Sequence, residues 1–304
     1  MSAPEVSRTI SAVSETAGAT PSAPSRRTGK GRDLPRRLQP LAALSLVAVV
    51  IGVPLWMVVA TASKTTGEAL DPNFSLPHHW HLMANLRQAF TEGEVLRALF
   101  GSLVVVVPTV VAVLVLGSAA SWVLARRGGR LAAALYGFAI SGILLPPAVI
   151  TVVLLLRQIG IAATPLGMVS VYTGMYLSTV IFFMVGFIRT LPVELEEAAR
   201  VDGAGPFIVF TRIILPLLRP VIATATILVC LYTWNDVFYA FFVLGGSSTS
   251  TLPLNLFKVA SAGLYLNNWN LIFAYVILMT LPLLLVFVVA QRRIIAGITS
   301  GAVK

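Results

Sequence analysis

Charged residues are scarce in this sequence, and their scarcity excludes an ordinary soluble domain. Only 11% of the 304 residues are Asp, Glu, Lys or Arg, whereas 57% are hydrophobic. A typical soluble domain carries about 25% charged residues. The hydrophobic residues also occur in long blocks that a soluble core does not require. The composition therefore predicts a protein whose main solvent is the lipid bilayer.

Cysteine and histidine are nearly absent as well. The single cysteine, Cys230, lies inside an apolar run, so the chain has no disulfide framework. The three histidines, His78, His79 and His81, have no cysteine or carboxylate at a spacing typical of metal ligands. His, Cys and carboxylate residues are not grouped at a catalytic spacing anywhere in the sequence. We therefore expect neither a metal site nor catalytic residues, which disfavours a membrane-embedded enzyme.

Hydrophobic runs long enough to cross a bilayer occur six times. A transmembrane helix needs about 20 mainly apolar residues. The predicted spans cover residues 41–61, 99–124, 131–155, 168–188, 219–243 and 271–291. Pro146 and Pro147 should kink or break the third span, either as a plain kink or as part of a gate. The sequence thus predicts an all-α membrane protein with a membrane domain over residues 41–304. A disordered polar tail over residues 1–40 precedes it.

Basic residues are distributed unevenly between the two sides of these spans. With the N-terminus in the cytoplasm, 17 Lys and Arg residues fall on the cytoplasmic side and 5 on the outside. The positive-inside rule selects this orientation, with both termini in the cytoplasm. Because the basic residues cluster beside the ends of apolar runs, we expect contact with membrane lipid and no nucleic-acid partner, despite the net charge of +10.

The segment between the fourth and fifth spans, residues 190–217, is typical of two short helices joined by a turn. Three glutamates lie early in the first helix, where the positive end of the helix dipole favours them. Gly203 is placed to end this helix in the left-handed conformation, and Pro206 to begin the second helix. Such a helix could dock on a partner through its small and acidic residues. A plain connection between two spans is the alternative that the residues alone leave open.

This loop resembles the "EAA" signature of importer permeases of the ATP-binding-cassette class. Glu197-Ala198-Ala199 is followed after three residues by Gly203, and after nine more by Ile213-Ile214-Leu215-Pro216. In that family the loop forms a coupling helix that seats in a cleft of the ATPase subunit. The resemblance implies the type I importer permease fold. It assigns ATPase coupling to Glu197, Ala198, Ala199, Asp202, Gly203 and Pro216.

A nucleotide-binding loop is missing from the sequence. The only Gly-Lys pair, Gly29-Lys30, has Pro24 where the phosphate-binding motif requires its first glycine and Gly31 where it requires Ser or Thr. We therefore expect no cofactor on this chain, with ATP and Mg²⁺ held by a separate ATPase. The resemblance implies that this chain lies in a bacterial plasma membrane and has three partners: a homologous second permease subunit, a cytoplasmic ATPase dimer and an extracytoplasmic sugar-binding protein.

Three further stretches resemble the smaller permease subunit of maltose-type, carbohydrate-uptake systems. They are residues 234–238, which read Trp-Asn-Asp-Val-Phe, residues 251–254, and the ending over residues 291–304. Two positions depart from the family pattern. Val237 follows Asp236 where an aromatic residue is common, and Gly101-Ser102 stands where many members have Asn-Ser.

The polar residues of the fifth span suit a path for a sugar. An Asp in mid-membrane costs roughly 2.5–3.5 kcal/mol on insertion scales, and such residues usually face a bundle interior or a watery cavity. Tyr232, Trp234, Asn235 and Asp236 offer aromatic faces and hydrogen-bonding groups, and we expect them to line the translocation path. The alternative is that Asn235 and Asp236 bond to a neighbouring helix and hold the bundle together. In the maltose-type family the companion permease carries most sugar contacts.

Two other transport functions remain open at this point. The same class of permease could carry a solute other than a sugar, although residues 234–236 and the ending favour a sugar. A secondary transporter driven by an ion gradient would need no coupling loop and often shows an internal repeat, which this sequence lacks.

Overall fold

A computed structural model describes residues 38–145, 147–261 and 265–302. Its side chains are described for residues 40–145, 147–261 and 265–288. Within these ranges every regular element is helical. The α-helices are α1 (Leu38–Val47), α2 (Val53–Ala62), α3 (Leu82–Glu92), α4 (Val95–Arg126), α5 (Arg130–Ser141), α6 (Val149–Gln158), α7 (Pro165–Ile188), α8 (Glu194–Val201), α9 (Pro206–Val209), α10 (Leu215–Leu217), α11 (Arg219–Asn235), α12 (Phe238–Leu244), α13 (Leu252–Ser261) and α14 (Trp269–Ala302).

The chain divides into two units, one ending at Gly52 and one beginning at Val53. The described part of the first unit consists of α1 and a π-helical turn over Ala48–Gly52. The second unit contains all the remaining helices, and a second π-helical turn, Phe210–Ile214, joins α9 to α10. Most of the predicted disordered tail over residues 1–40 lies outside the described residues, as do the last two residues of the ending over 291–304.

Four helices among the described residues are long and apolar enough to cross a membrane. They are Pro40–Ala62, Val95–Arg126, Pro165–Ile188 and Trp269–Val288. A fifth span is obtained if Pro206–Leu217 and Arg219–Asn235, which are bent by 74° at their junction, count as one. The all-helical membrane class is therefore confirmed, whereas the predicted number of six spans is not reached by these criteria.

Two of the predicted spans are divided into separate helices in the structure. The predicted span 131–155 consists of two shorter apolar helices, α5 and α6, with Pro147 between them; Pro146 lies outside the described residues. Proline removes a helical N–H donor and clashes with the preceding turn, which explains the break. The predicted span 219–243 is interrupted at Asp236, whose backbone is extended (φ −74°, ψ 130°), so that α11 and α12 are separate.

The core of the second unit forms where α4 and α7 pack along each other. Val113 of α4 and Val180 and Met184 of α7 are buried in one apolar cluster, together with residues of α11. A Cβ atom on Gly117 of α4 would lie 2.9 Å from Val180 Cγ1, so glycine permits the close approach of the two helices. Small residues commonly serve this purpose at helix contacts inside a membrane. This packing fixes the position of the Arg126 end of α4.

The opposite end of α4 packs against the start of α13 and the residues just before it. The Ser102 hydroxyl accepts a hydrogen bond from the backbone N–H of Leu252 at 2.8 Å. A Cβ atom on Gly101 would collide with the backbone carbonyl of Ser250. This contact accounts for the departure from the family pattern at Gly101, because an asparagine side chain would have no room there.

Candidate functional site

The loop over residues 190–217 folds as two short helices, as the sequence predicts. The helix α8 ends in a Schellman motif, in which the N–H of Gly203 donates to the carbonyl of Arg200 and the N–H of Ala204 donates to that of Ala199. Gly203 has a φ of +83°, which confirms the predicted left-handed cap. Pro206 is the first residue of α9, where its missing N–H costs nothing.

One face of this loop is exposed and carries most of the predicted coupling residues. Glu197, Ala198, Asp202 and Gly203 are exposed, whereas Ala199 and Pro216 are partly buried. Two large apolar side chains project from the same segment: Val201 is 87% exposed and Phe207 is 77% exposed. Apolar side chains this exposed at a turn are typical of a surface that another protein covers.

The other face of α8 carries a buried carboxylate. Glu196 is 1% exposed, and its Oε1 accepts a hydrogen bond from Nε of Arg126 at 2.7 Å. Its Oε2 accepts from Nε1 of Trp122 at 3.0 Å and from a guanidinium nitrogen of Arg200 at 3.3 Å. Arg126 also donates to the carbonyl of Leu191 at 3.1 Å. The carboxylate thus joins α8 to the last turn of α4.

An apolar cluster supports the same junction. Ile188, Val209, Ile214 and Leu218 are buried together, with Ala199 packed against them. The rings of Trp122 and Phe210 stack with their centroids 5.5 Å apart. The buried side of the loop is therefore held by both charge and apolar packing, and only its outer side is free to meet a partner.

The second group of candidate residues surrounds the break between α11 and α12. Asp236 is partly buried, and its carboxylate accepts hydrogen bonds from the Tyr172 hydroxyl at 2.7 Å and from the backbone N–H of Ala240 at 3.0 Å. The backbone N–H of Tyr239 adds a longer bond at 3.4 Å. Asp236 therefore caps the first turn of α12 and ties the break to α7, as the packing alternative expects.

The three other candidate residues of the fifth predicted span lie in different surroundings. Trp234 is buried, and its Nε1 donates to the carbonyl of Met279 in α14 at 3.3 Å. Asn235 is exposed, and its amide donates to the carbonyl of Leu231 one turn earlier at 2.9 Å. Tyr232 is half-exposed, and its ring stacks on that of Tyr176 with centroids 5.8 Å apart and planes 10° from parallel. Tyr232 and Asn235 are three residues apart, so they share one side of α11.

Several residues of both groups were not found from the sequence. Arg126 entered the sequence argument only as a basic residue, and Trp122, Tyr172 and Tyr176 did not enter it. Their partners lie more than 50 residues away along the chain, so no local pattern connects them. The one local signal was the spacing of four residues between Glu196 and Arg200, which allows an ion pair on a helix.

The comparison with known proteins gives a family and a set of similar chains. Residues 114–300 match the family model described as binding-protein-dependent transport system inner membrane component. The chain is 31% identical over 268 residues to the diacetylchitobiose uptake system permease protein NgcG of Streptomyces coelicolor, covering 86% of this chain and 87% of that protein. It is 31% identical over 280 residues to the melibiose/raffinose/stachyose import permease protein MelC of Bacillus subtilis, covering 88% and 98%.

A solved structure has a similar fold. It is the crystal structure of a bacterial ABC transporter involved in the import of the acidic polysaccharide alginate. One of its chains matches with a TM-score of 0.71 and 19% sequence identity, covering 84% of this chain and 95% of that chain. The family model covers more than half of the sequence, and its match includes both the coupling loop and the break at Asp236. The chain therefore belongs to the family of binding-protein-dependent transport system inner membrane components.

Proposed function

We propose that this chain is the permease subunit of an ATP-binding-cassette importer and forms half of the transmembrane path for sugar uptake. The observation that carries the proposal is the loop over residues 190–217, whose inner face is fixed to the bundle and whose outer face is exposed. The Glu197-Ala198-Ala199 signature and Gly203 lie on this loop, and the relatives named above are permeases of sugar uptake systems.

The proposed assembly contains three further kinds of subunit. An ATPase dimer supplies ATP and Mg²⁺ from the cytoplasm and receives α8 through Glu197, Ala198, Ala199, Asp202 and Gly203, with Pro216 in the second helix. A homologous second permease completes the path, and an external binding protein delivers the sugar. Exposed valines at a spacing of four residues along α4, Val107, Val111 and Val115, suit contact with lipid or with that second permease.

The arrangement in the membrane is also part of the proposal. Five spans follow from the four long helices and the bent pair. We propose α5 and α6 together as the sixth, since both are apolar and only a proline-containing connection divides them. The excess of basic residues on one side supports cytoplasmic termini. These features correspond to the type I importer permease fold, with a membrane domain over residues 41–304 and a cytoplasmic tail before it.

Within the path, we propose a division of roles among the four residues of the fifth span. Tyr232 and Asn235 line the path, because an exposed tyrosine and an exposed asparagine inside a span are more favourable toward a watery cavity than toward lipid. The near-parallel pair of Tyr232 and Tyr176 gives an aromatic face that suits a sugar ring. Asp236 and Trp234 support this surface by fixing α11 against α7 and α14.

The proposal is tested by reconstituting the chain with its partner subunits in liposomes and measuring ATP-dependent uptake of a panel of mono- and disaccharides. Replacing Gly203 with leucine should abolish uptake while leaving membrane insertion intact. Gly160→Leu is a matched control, because Gly160 also has a positive φ (+76°) and also has no atom within 4 Å of an added Cβ. Uptake at the normal rate by Gly203→Leu would contradict the coupling assignment.

The same experiment separates the proposed function from its alternatives. Uptake that requires ATP and the binding protein, but only with amino acids or peptides, would keep the importer class and change the cargo. Uptake driven by an ion gradient without any ATPase would contradict the importer class altogether. An ATPase chain that copurifies with the wild-type permease, and is lost when the loop is replaced by a flexible linker, would support it.

A further inference from the structure

Glu196 has an environment that the coupling signature does not predict. It immediately precedes Glu197 in the sequence, and both residues lie in the first turn of α8. Glu197 is exposed, whereas Glu196 is 1% exposed and uses both carboxylate oxygens to accept hydrogen bonds from its own chain. A residue with this burial has no free surface for a partner. Its role must therefore lie inside this subunit.

The burial of such a charge requires an explanation other than stability. Withdrawing a carboxylate from water carries a desolvation penalty that its ion pairs only partly offset, and a well-packed apolar group often stabilises a protein as well or better. The Arg126 side chain is itself only 15% exposed, so this pair is largely shielded from solvent. Unlike apolar packing, the ion pair has a fixed geometry and joins two particular helices.

Glu196 joins the proposed coupling helix to one of the long membrane-spanning helices. The short helix α8 is attached along the chain only through its flanking turns. Arg126 and Trp122 belong to the last two turns of α4, a helix of 32 residues. The opposite end of α4 contacts the first residue of α13 through Ser102. A displacement of α8 thus has a direct route to one of the long spans.

One side of α8 is buried against its own chain and the opposite side is exposed. Residues 196, 199 and 200 are spaced by three and four and share one side of the helix, which faces α4 and the apolar cluster around Ile188. Residues 197 and 201 are four apart and share the exposed side. The buried side of α8 therefore lies between its exposed side and α4.

We propose that Glu196 is a positioning residue that ties the coupling helix to α4 through Arg126 and Trp122, so that movement of α8 is transmitted to that span. This inference rests on the proposed function, since it assigns a step in the coupling of ATP hydrolysis to transport. It concerns only residues of this chain and requires no contact between Glu196 and the ATPase.

The test uses the complete reconstituted importer and measures sugar uptake per ATP hydrolysed. Glu196→Gln preserves the shape of the side chain and removes its charge, and Arg126→Gln removes its positively charged partner on α4. Each variant should copurify with the ATPase as the wild type does, while uptake per ATP falls by about fivefold or more. The double variant should lose little beyond the single ones, because both changes remove the same link. Arg127→Gln is the matched control, since Arg127 is the adjacent arginine and its side chain is exposed.

Each outcome decides a separate point. A ratio in Glu196→Gln within about twofold of the wild type, or additive losses in the double variant, would overturn the proposal. Loss of the ATPase from Glu196→Gln would also overturn it, because the residue would then serve docking. If Glu196→Gln does not accumulate in the membrane, Trp122→Phe decides, since it removes one hydrogen bond and keeps a ring against Phe210; a normal ratio there contradicts the link. If the wild-type complex shows no ATP-dependent uptake, the proposed function itself fails.

Discussion

Replacing Gly203 with alanine tests how much of the shape of α8 depends on one backbone conformation. Gly203 has a φ of +83°, and no atom lies within 4 Å of the position that a Cβ would take. The cost of the substitution is therefore conformational and not steric. A non-glycine residue in the left-handed region costs about 1–2 kcal/mol. We expect this cost to appear as a weaker C-terminus of α8, where Gly203 and Ala204 close the Schellman motif.

The expected magnitude can be measured by amide hydrogen exchange in detergent. A loss of about 1–2 kcal/mol corresponds to roughly 5–30 times more of the locally opened state, and exchange of the α8 amides should accelerate by that factor if they exchange through local opening. Gly203→Asn should show a smaller effect, because asparagine tolerates the left-handed region better. Gly205→Ala is the control, since Gly205 has an ordinary φ of −69° and equal space around it.

Either of two exchange results would refute this reasoning. Exchange of the α8 amides in Gly203→Ala within about twofold of the wild type would mean that the left-handed turn does not hold the end of the helix. Acceleration of the same size in Gly205→Ala would mean that any added methyl group in this loop disturbs α8. In either case the end of α8 would not depend specifically on the left-handed backbone of Gly203.

Three further substitutions test other contacts. Gly101→Ala should lower the free energy of unfolding by about 1–3 kcal/mol in a denaturation experiment, because the methyl group meets the Ser250 carbonyl; an unchanged value would contradict the close packing. Tyr172→Phe should lower it by about 1.5–3 kcal/mol, since it removes a hydrogen bond to the Asp236 carboxylate, and wild-type stability would show that this bond contributes nothing. Tyr232→Leu should reduce sugar uptake while Tyr232→Phe retains it, and equal uptake by both would argue against an aromatic sugar contact.

The sequence was most informative where local chemistry determines local structure. Gly203 and Pro206 were assigned to a helix end and a helix start from their backbone properties, and both positions are confirmed. The long spans were located because bilayer thickness imposes a length that few other structures require. The break in the third span was also predicted, from its two consecutive prolines, and the separation of α5 from α6 confirms it. The break at Asp236 in the fifth span was not predicted, because a hydropathy pattern does not distinguish one continuous helix from two shorter ones.

The contacts of the candidate site could not be predicted because they join distant parts of the chain. Glu196 and Arg126 are separated by 70 residues, and Asp236 and Tyr172 by 64. Their pairing depends on how α4, α7 and α11 pack, which no local pattern reports. The consequence is largest for Glu196. Its sequence neighbours place it in an exposed acidic helix, whereas the fold turns it inward to meet two basic residues.

The ion pairs affect the count of basic residues from which the orientation is proposed, because a carboxylate offsets the charge of each paired arginine. Arg126 and Arg200 are paired on the proposed cytoplasmic side and Arg97 on the outer side. Setting these three aside leaves 15 basic residues against 4, so the asymmetry that selects the orientation persists.

The proposed orientation can be tested by labelling cysteines. A cysteine at Gly128 in a Cys230→Ser chain should react with a membrane-impermeant maleimide only after the cells are permeabilised. A cysteine at Leu76, which is 65% exposed, should react in intact cells. The reverse pattern would place the coupling loop outside the cell, where no ATPase could reach it, and both the orientation and the importer proposal would fail together.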